Sequence, residues 1–270
     1  MPEPDLESPG PSSPRRPATP ITPLTDTPVA SRPPDVEHPT TNRLLRAMPR
    51  EAWEHLRGSL EVVHPRRGRV LHTHDRPAVY AYFPERAVIS FITLVHDGGP
   101  IEVASIGSEG MLGLPIVLGA DQWPARAVMQ TGDGITRVPA AVLRAAMADR
   151  PRLRLLLLRY ASTFMNHLIQ SAACNGLHSA KQRCARWLLM THDRLGSEPL
   201  LLKQRLLSEL LGVRRETVTM AAGLLQRSGL IHYSRGLITI IDRAGLEVEA
   251  CECYRVIRAM YQQLLEPADR

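Results

Sequence analysis

The chain is poor in cysteine, with four in 270 residues. That is too few for the disulfide framework that stabilises small secreted domains. Long apolar runs are missing too. Aliphatic stretches such as Leu155–Leu158 fall far short of the ~20 residues a helix needs to span a bilayer. The first residues carry Glu3, Asp5 and Glu7 instead of the basic and apolar regions of a signal peptide, so a reduced, cytoplasmic compartment and no membrane partner are expected. No Ser/His/Asp set, Walker-type phosphate loop or paired-carboxylate signature stands out, so catalysis is not expected.

What is present is unevenly distributed. Residues 1–42 hold 12 of the 23 prolines, no aromatic residue and a net charge of −3. Prolines this dense remove amide donors, and too few apolar side chains remain to offset the entropy of ordering. This segment reads as a disordered tail. The formal charge of +6 therefore resolves into −3 there and +9 over residues 43–270, of which +6 falls within residues 178–243. A basic balance of this kind favours a polyanionic partner.

Beyond the tail, residues 43–138 read as mainly β. A short helix opens them, with Leu44, Leu45, Met48, Trp53 and Leu56 at helical spacing. Short apolar runs follow, punctuated by Asp75-Arg76-Pro77, Pro84, Asp97-Gly98-Gly99-Pro100 and Gly132-Asp133-Gly134, as in a small barrel or roll. Residues 139–174 read as one long helix, or as two broken near Asp149-Arg150-Pro151. Leu153, Leu156, Leu157, Tyr160, Phe164 and Leu168 form an apolar stripe that needs a covering surface, either its own domain or a second copy of the helix. Residues 178–243 are compact and α-rich with a β end, and 244–270 form a helical C-terminal tail.

The most informative stretch runs from Gln204 to Arg227. A helix-turn-helix needs a small residue where its helices cross, a turn residue tolerant of positive φ, and apolar pins at set offsets. Ser208, Gly212 and the set Leu207, Leu211, Val213, Val218 and Ala221 meet those needs. The outward positions of the second helix are then Arg214, Arg215, Glu216, Thr217, Thr219 and Met220, suited to phosphate contacts and base-edge reading. Two strands joined near Ser234-Arg235-Gly236 follow as a wing, with Arg235 placed to reach a phosphate. Lys203, at the start of the first helix, is a weak cap.

With Leu211-Gly-Val-Arg-Arg-Glu-Thr-Val-Thr219, the wing segments 228–231 and 236–240, and a weaker match around Tyr82-Phe83-Pro84 and Gly107–Gly113, the chain resembles the Crp/Fnr transcription regulators over about residues 43–253. The resemblance implies an α+β architecture: an N-terminal β-roll like a cyclic-nucleotide-binding jelly roll, a long dimerisation helix and a C-terminal winged helix-turn-helix. It implies a homodimer on a palindromic operator in double-stranded DNA, with RNA polymerase as a further partner. It also implies that Arg215, Glu216, Thr217 and Val218 form the base-reading core. Met220 stands where some relatives carry an arginine and would offer apolar contact instead. In the effector domain, Gly110-Met-Leu-Gly113 corresponds to the Gly-Glu-Leu-Gly cassette of cyclic-nucleotide binders. Met111 replaces the ribose-binding glutamate there, and Arg126 is the candidate phosphate arginine. Met111, Gly113 and Arg126 thus mark an effector pocket that is not expected to take cAMP. No cofactor is implied, and the effector is unidentified.

Two further patterns bear on other chemistry. His72 and His74 alternate as strand residues do and could share a metal in a cupin-like barrel, with His96 and Glu102 as additions, giving the alternative of a metal-dependent enzyme or metal sensor. Cys251-x-Cys253 lacks the usual Cys-x₂-Cys spacing, Cys174 and Cys184 do not complete it cleanly, and the pair reads as ordinary reduced thiols. An iron–sulfur sensor is not expected, because no cysteine precedes Cys174.

Overall fold

The computed structural model describes residues 40–95, 99–120, 122–196 and 199–266. The expected disordered tail lies outside them except for its last three residues, and these are packed. Asn42 is fully buried and caps the first helix through its side-chain oxygen, while its amide nitrogen donates to the carbonyls of Pro84 and Gly110. Thr40, Thr41 and the Asn42 backbone amide all donate to the Glu85 carboxylate. The ordered domain therefore begins before residue 43. The Thr-Thr-Asn sequence is a helix start, and its partners lie some 43 residues downstream.

The opening helix is two, α1 (Arg43–Arg46) and α2 (Arg50–Leu56), because Pro49 ends one and starts the other. Then come β1 (Glu61–Val63), β2 (Val70–His72), β3 (Tyr80–Val95), β4 (Gly99–Ile106), α3 (Leu114–Leu118) and β5 (Arg126–Pro139). The five strands form one antiparallel sheet in the order β1-β5-β3-β4, with β2 also on β5. Two of the expected turns lie inside strands. Pro84 sits within β3 opposite Ile135, and Gly132-Asp133-Gly134 stays in β5 opposite Arg86 and Ala87. Gly132 has φ +94°, and a Cβ there would collide with the Arg86 carbonyl, so these glycines serve an irregular, close strand approach instead of a chain reversal.

Two helices follow, α4 (Ala140–Asp149) and α5 (Pro151–Leu177), divided at Arg150 as Asp149-Arg150-Pro151 allowed. Leu153, Leu157, Tyr160 and Phe164 of the expected stripe are fully buried against the β-roll, so that stripe is covered by its own domain. A second set on α5 stays uncovered in the single chain: Leu155, Leu158, Met165 and Ile169 are 50, 38, 49 and 68% exposed. An aromatic series links roll to helix to C-terminus: Phe91 and Trp123 meet Phe164, Phe164 meets His167, and His167 meets Tyr261, with centroids 5.1–6.3 Å apart.

The C-terminal part contains α6 (Ala180–Leu195), β6 (Leu200–Leu201), α7 (Gln204–Leu211), α8 (Arg215–Arg227), β7 (Ile231–Ser234), β8 (Leu237–Ile240), α9 (Arg243–Glu249) and α10 (Cys253–Leu265). A short sheet β6-β8-β7 forms the wing, one strand more than the expected hairpin. The final segment is not a tail, since Ile257 and Tyr261 of α10 join the core shared with α5. No helix among the described residues is long and apolar enough to cross a membrane.

Candidate nucleic-acid interface

Helices α7 and α8 are held at their crossing by the expected pins. Leu207, Leu211, Val218 and Ala221 are buried in one core with α6 and the wing, and Val213 packs against it half-buried. Gly212 adopts φ +61° and its amide donates to the Ser208 carbonyl, closing α7 with the left-handed residue the turn requires. The Ser208 hydroxyl folds back onto the Arg205 carbonyl. Each apolar pin faces inward because of its position in the helical period. The polar residues between them are therefore turned out.

Arg214, Arg215, Glu216, Thr219 and Met220 are exposed, and Thr217 is half-buried at the edge of the face. Met220 is 62% exposed. The Thr219 hydroxyl donates to the Arg215 carbonyl, leaving its oxygen as an acceptor. Neither helix has a side-chain cap. Lys203 and Arg214 occupy the cap positions, so the first amides of α7 and α8 have no side-chain acceptor. At the wing tip Arg235 has φ +50° and Gly236 φ +83°, the two left-handed residues of a type I′ turn, and Arg235 is exposed there.

Three polar residues that support this face were not singled out from the sequence. Gln204 accepts from Arg215 Nε at 3.4 Å, bracing that arginine from the first helix. Gln226 accepts from the Tyr233 amide at 2.6 Å and ties α8 to the wing, while the Tyr233 hydroxyl bonds the Leu202 carbonyl. These contacts join separate elements, which local spacing does not reveal.

The reverse side of this module packs on the β-roll through buried polar contacts. Arg194 forms a salt bridge with Glu109 at 2.7 Å, both side chains under 10% exposed, and also donates to the Ser105 hydroxyl and carbonyl. Trp187 Nε1 donates to Glu102 at 3.0 Å. Burial pushes the Glu102 carboxyl up to about 7, opposed by Trp187 and by the charges of Arg194 and Arg186. Arg183 donates to the Leu211 carbonyl at the end of α7.

The structure places the effector-pocket residues in or beside the core. Met111 is fully buried; its amide bonds the Tyr160 hydroxyl of α5, which donates back to the Met111 carbonyl. Gly113 has φ +141°, and a Cβ at Gly110 would strike the Tyr160 ring. Arg126 opens β5 half-buried, and its buried Nε has no hydrogen-bond partner among the described residues. None of the three lines the cleft of about 620 Å³ bordered by Thr41, Trp53, Glu85, Thr136, Leu195 and Leu201.

The histidine pair does not form a shared face. His72 ends β2 buried, with its basicity lowered chiefly by burial, whereas His74 is exposed in the following turn; His96 lies outside the described residues, and Glu102 is engaged by Trp187. The cupin-like alternative therefore loses its ligand set. A different group lies close enough to hold a metal: Cys174, His178, Cys251 and Cys253.

Residues 182–249 match the Crp-like helix-turn-helix domain family. No curated protein matches the chain in sequence. Among solved structures, FixK2 from Bradyrhizobium japonicum is similar over 71% of this chain and 98% of its own, with a TM-score of 0.62 and 20% identity. A CRP-family transcriptional regulator from Thermus thermophilus covers 70% and 96%, with a TM-score of 0.58 and 19% identity. The c-di-GMP-responsive global regulator CLP from Xanthomonas campestris covers 70% and 98%, at 0.54 and 16%.

Proposed function

We propose that this chain, a Crp/Fnr-type transcriptional regulator by its fold and its Crp-like helix-turn-helix domain, reads a palindromic operator as a homodimer through the exposed face of α8. The observation that carries this reading is the separation of roles around α8. Apolar pins are buried on one side, and Arg214, Arg215, Glu216, Thr219 and Met220 are presented on the other. An arginine can donate bidentately to guanine O6 and N7, a glutamate can accept from cytosine N4, and a methionine can cover a thymine methyl. The uncapped starts of α7 and α8 and the Arg235 tip supply amides and a cation suited to backbone phosphates.

The dimer reading rests on Leu155, Leu158, Met165 and Ile169. Their offsets of 3, 7 and 4 residues keep them on one coiled-coil-like stripe, distinct from the stripe covered by the β-roll. Replacing Ile169 by Glu should shift the chain towards monomer in sedimentation while leaving its fold intact. A wild-type monomer at micromolar concentration contradicts the seam.

The β-roll is proposed as a sensor that does not use cAMP. Met111 cannot supply the charged partner a ribose hydroxyl would need, and Tyr160 already engages its backbone. Location in the cytoplasm, a role without catalysis and contact with RNA polymerase accompany the reading as parts of the same proposal. Fluorescence anisotropy with selected genomic DNA fragments tests it. Sequence-specific binding at moderate salt is expected, and binding that is indifferent to sequence contradicts it.

A further inference from the structure

Among the described residues, one gathering of metal-ligating side chains lies away from the DNA-reading face. Cys174 is on the last turn of α5, His178 caps that helix, and Cys251 and Cys253 flank the start of α10. We propose that these four residues form a binding site for a thiophilic divalent ion that prefers tetrahedral coordination, of the zinc class. This inference stands independently of the DNA-binding reading.

Geometry supports it first. All four ligand atoms lie within 4.8 Å of one another. Cys174 Sγ is 3.5 Å from Cys251 Sγ, and Cys253 Sγ is 3.5 Å from His178 Nδ1. A tetrahedral zinc ion with bonds of ~2.3 Å to sulfur and ~2.0–2.1 Å to nitrogen holds its ligand atoms roughly 3.5–3.8 Å apart. The pairs that touch already have that separation, and closing the others requires only side-chain adjustment.

The surroundings fit a metal ligand set in three further ways. His178 presents Nδ1 to the thiols, while Nε2 lies 3.2 Å from Glu252 Oε1. A proton held on Nε2 by that carboxylate leaves the Nδ1 lone pair for the ion, the usual outer support of a metal-bound histidine. Gln170 Nε2 donates to Cys253 Sγ at 3.1 Å, a bond that a metal-bound sulfur can keep accepting. Arg183 and Arg186 of α6 act electrostatically on Cys174. Three thiolates, a neutral imidazole and a divalent cation sum to one negative charge, which those arginines offset.

Binding releases the three thiol protons to solvent and forms three metal–sulfur bonds and one metal–nitrogen bond, without electron transfer. The ion would tie the end of α5 to the start of α10, beside the junction at which α6 begins the DNA-reading module. The fourth cysteine, Cys184, is buried in the apolar core of that module and takes no part.

The test uses the full reduced chain, loaded anaerobically with Zn²⁺ or Co²⁺ and freed of excess. Elemental analysis should find one ion per chain, and the Co²⁺ form should show the intense visible absorption of tetrahedral thiolate coordination. Cys174→Ser and Cys251→Ser should each retain far less metal, with folding checked by circular dichroism. Glu252→Gln, a surface change that spares the fold, should weaken Zn²⁺ binding by about tenfold. Any of three results overturns the proposal: no retained ion in the folded wild type, a Co²⁺ spectrum without thiolate character, or full metal retention by folded Cys174→Ser and Cys251→Ser.

Discussion

The two faces of the DNA-reading module use the same residue types in opposite ways. On the outer face Arg214, Arg215, Glu216 and Arg235 are exposed. On the inner face Arg194, Glu102 and Glu109 are buried between the module and the β-roll. An exposed arginine keeps its hydration until a partner replaces it, so it can discriminate among partners. A buried one has already exchanged water for fixed protein acceptors, and its worth lies in fixing geometry. The excess positive charge of residues 178–243 is therefore divided between the exposed face proposed for DNA and an internal joint.

Breaking the inner face should give the largest effect. Arg194→Ala leaves Glu109 buried without its guanidinium partner, a situation that costs about 3–5 kcal/mol. Denaturant unfolding should show that loss directly, and an unchanged midpoint would mean that the joint adds nothing.

Glu102 sharpens the contrast through pH. Its carboxyl is held up at about 7 in the folded chain, above the ordinary 4.5. The neutral form is the one the fold favours, so this stabilisation is complete below pH 4.5 and is lost as pH rises through 7. Glu102→Gln keeps the acceptor for Trp187 without the charge. Its stability should match wild type near pH 4.5 and exceed it at pH 8 by up to about 3 kcal/mol. Parallel stability–pH curves for the two proteins would remove the buried-charge account.

The outer face should respond in binding and hardly at all in stability. Arg215→Ala or Glu216→Ala should relax preference at one base position per half-site, at a cost of about 1–3 kcal/mol. Arg235→Ala should produce the smallest and least selective change. All DNA sequences should bind more weakly by a similar factor, with a salt slope shallower by about one.

The outer face was legible in the sequence because everything that builds it is local. The Gly212 turn and its apolar pins occupy one short stretch, and periodicity alone assigns inside and outside. Arg235-Gly236 is likewise a self-contained turn signal. The inner face was not legible, since Glu102 and Trp187, like Glu109 and Arg194, are 85 residues apart. The cysteine cluster was hidden for the same reason: 77 residues separate Cys174 from Cys251, and no familiar spacing links them. In the β-roll, Pro84 and Gly132-Asp133-Gly134 misled because tertiary pairing kept β3 and β5 continuous through residues that elsewhere end strands. The helix stripe from Leu153 was visible, but which copy or domain covers it depends on where the roll packs. The second stripe, including Leu155 and Ile169, is recognisable only once the first has been assigned.

In the proposed reading, the exposed start of α8 reads bases while the rest of the module holds it in place. Anisotropy titrations of wild type and Arg215→Ala against a selected operator and a set of single-base variants test this most directly. Wild type should discriminate strongly at one symmetric pair of positions, and Arg215→Ala should lose discrimination at that pair alone, with thermal stability unchanged. An equal loss of affinity for every DNA, or unaltered discrimination, would contradict it.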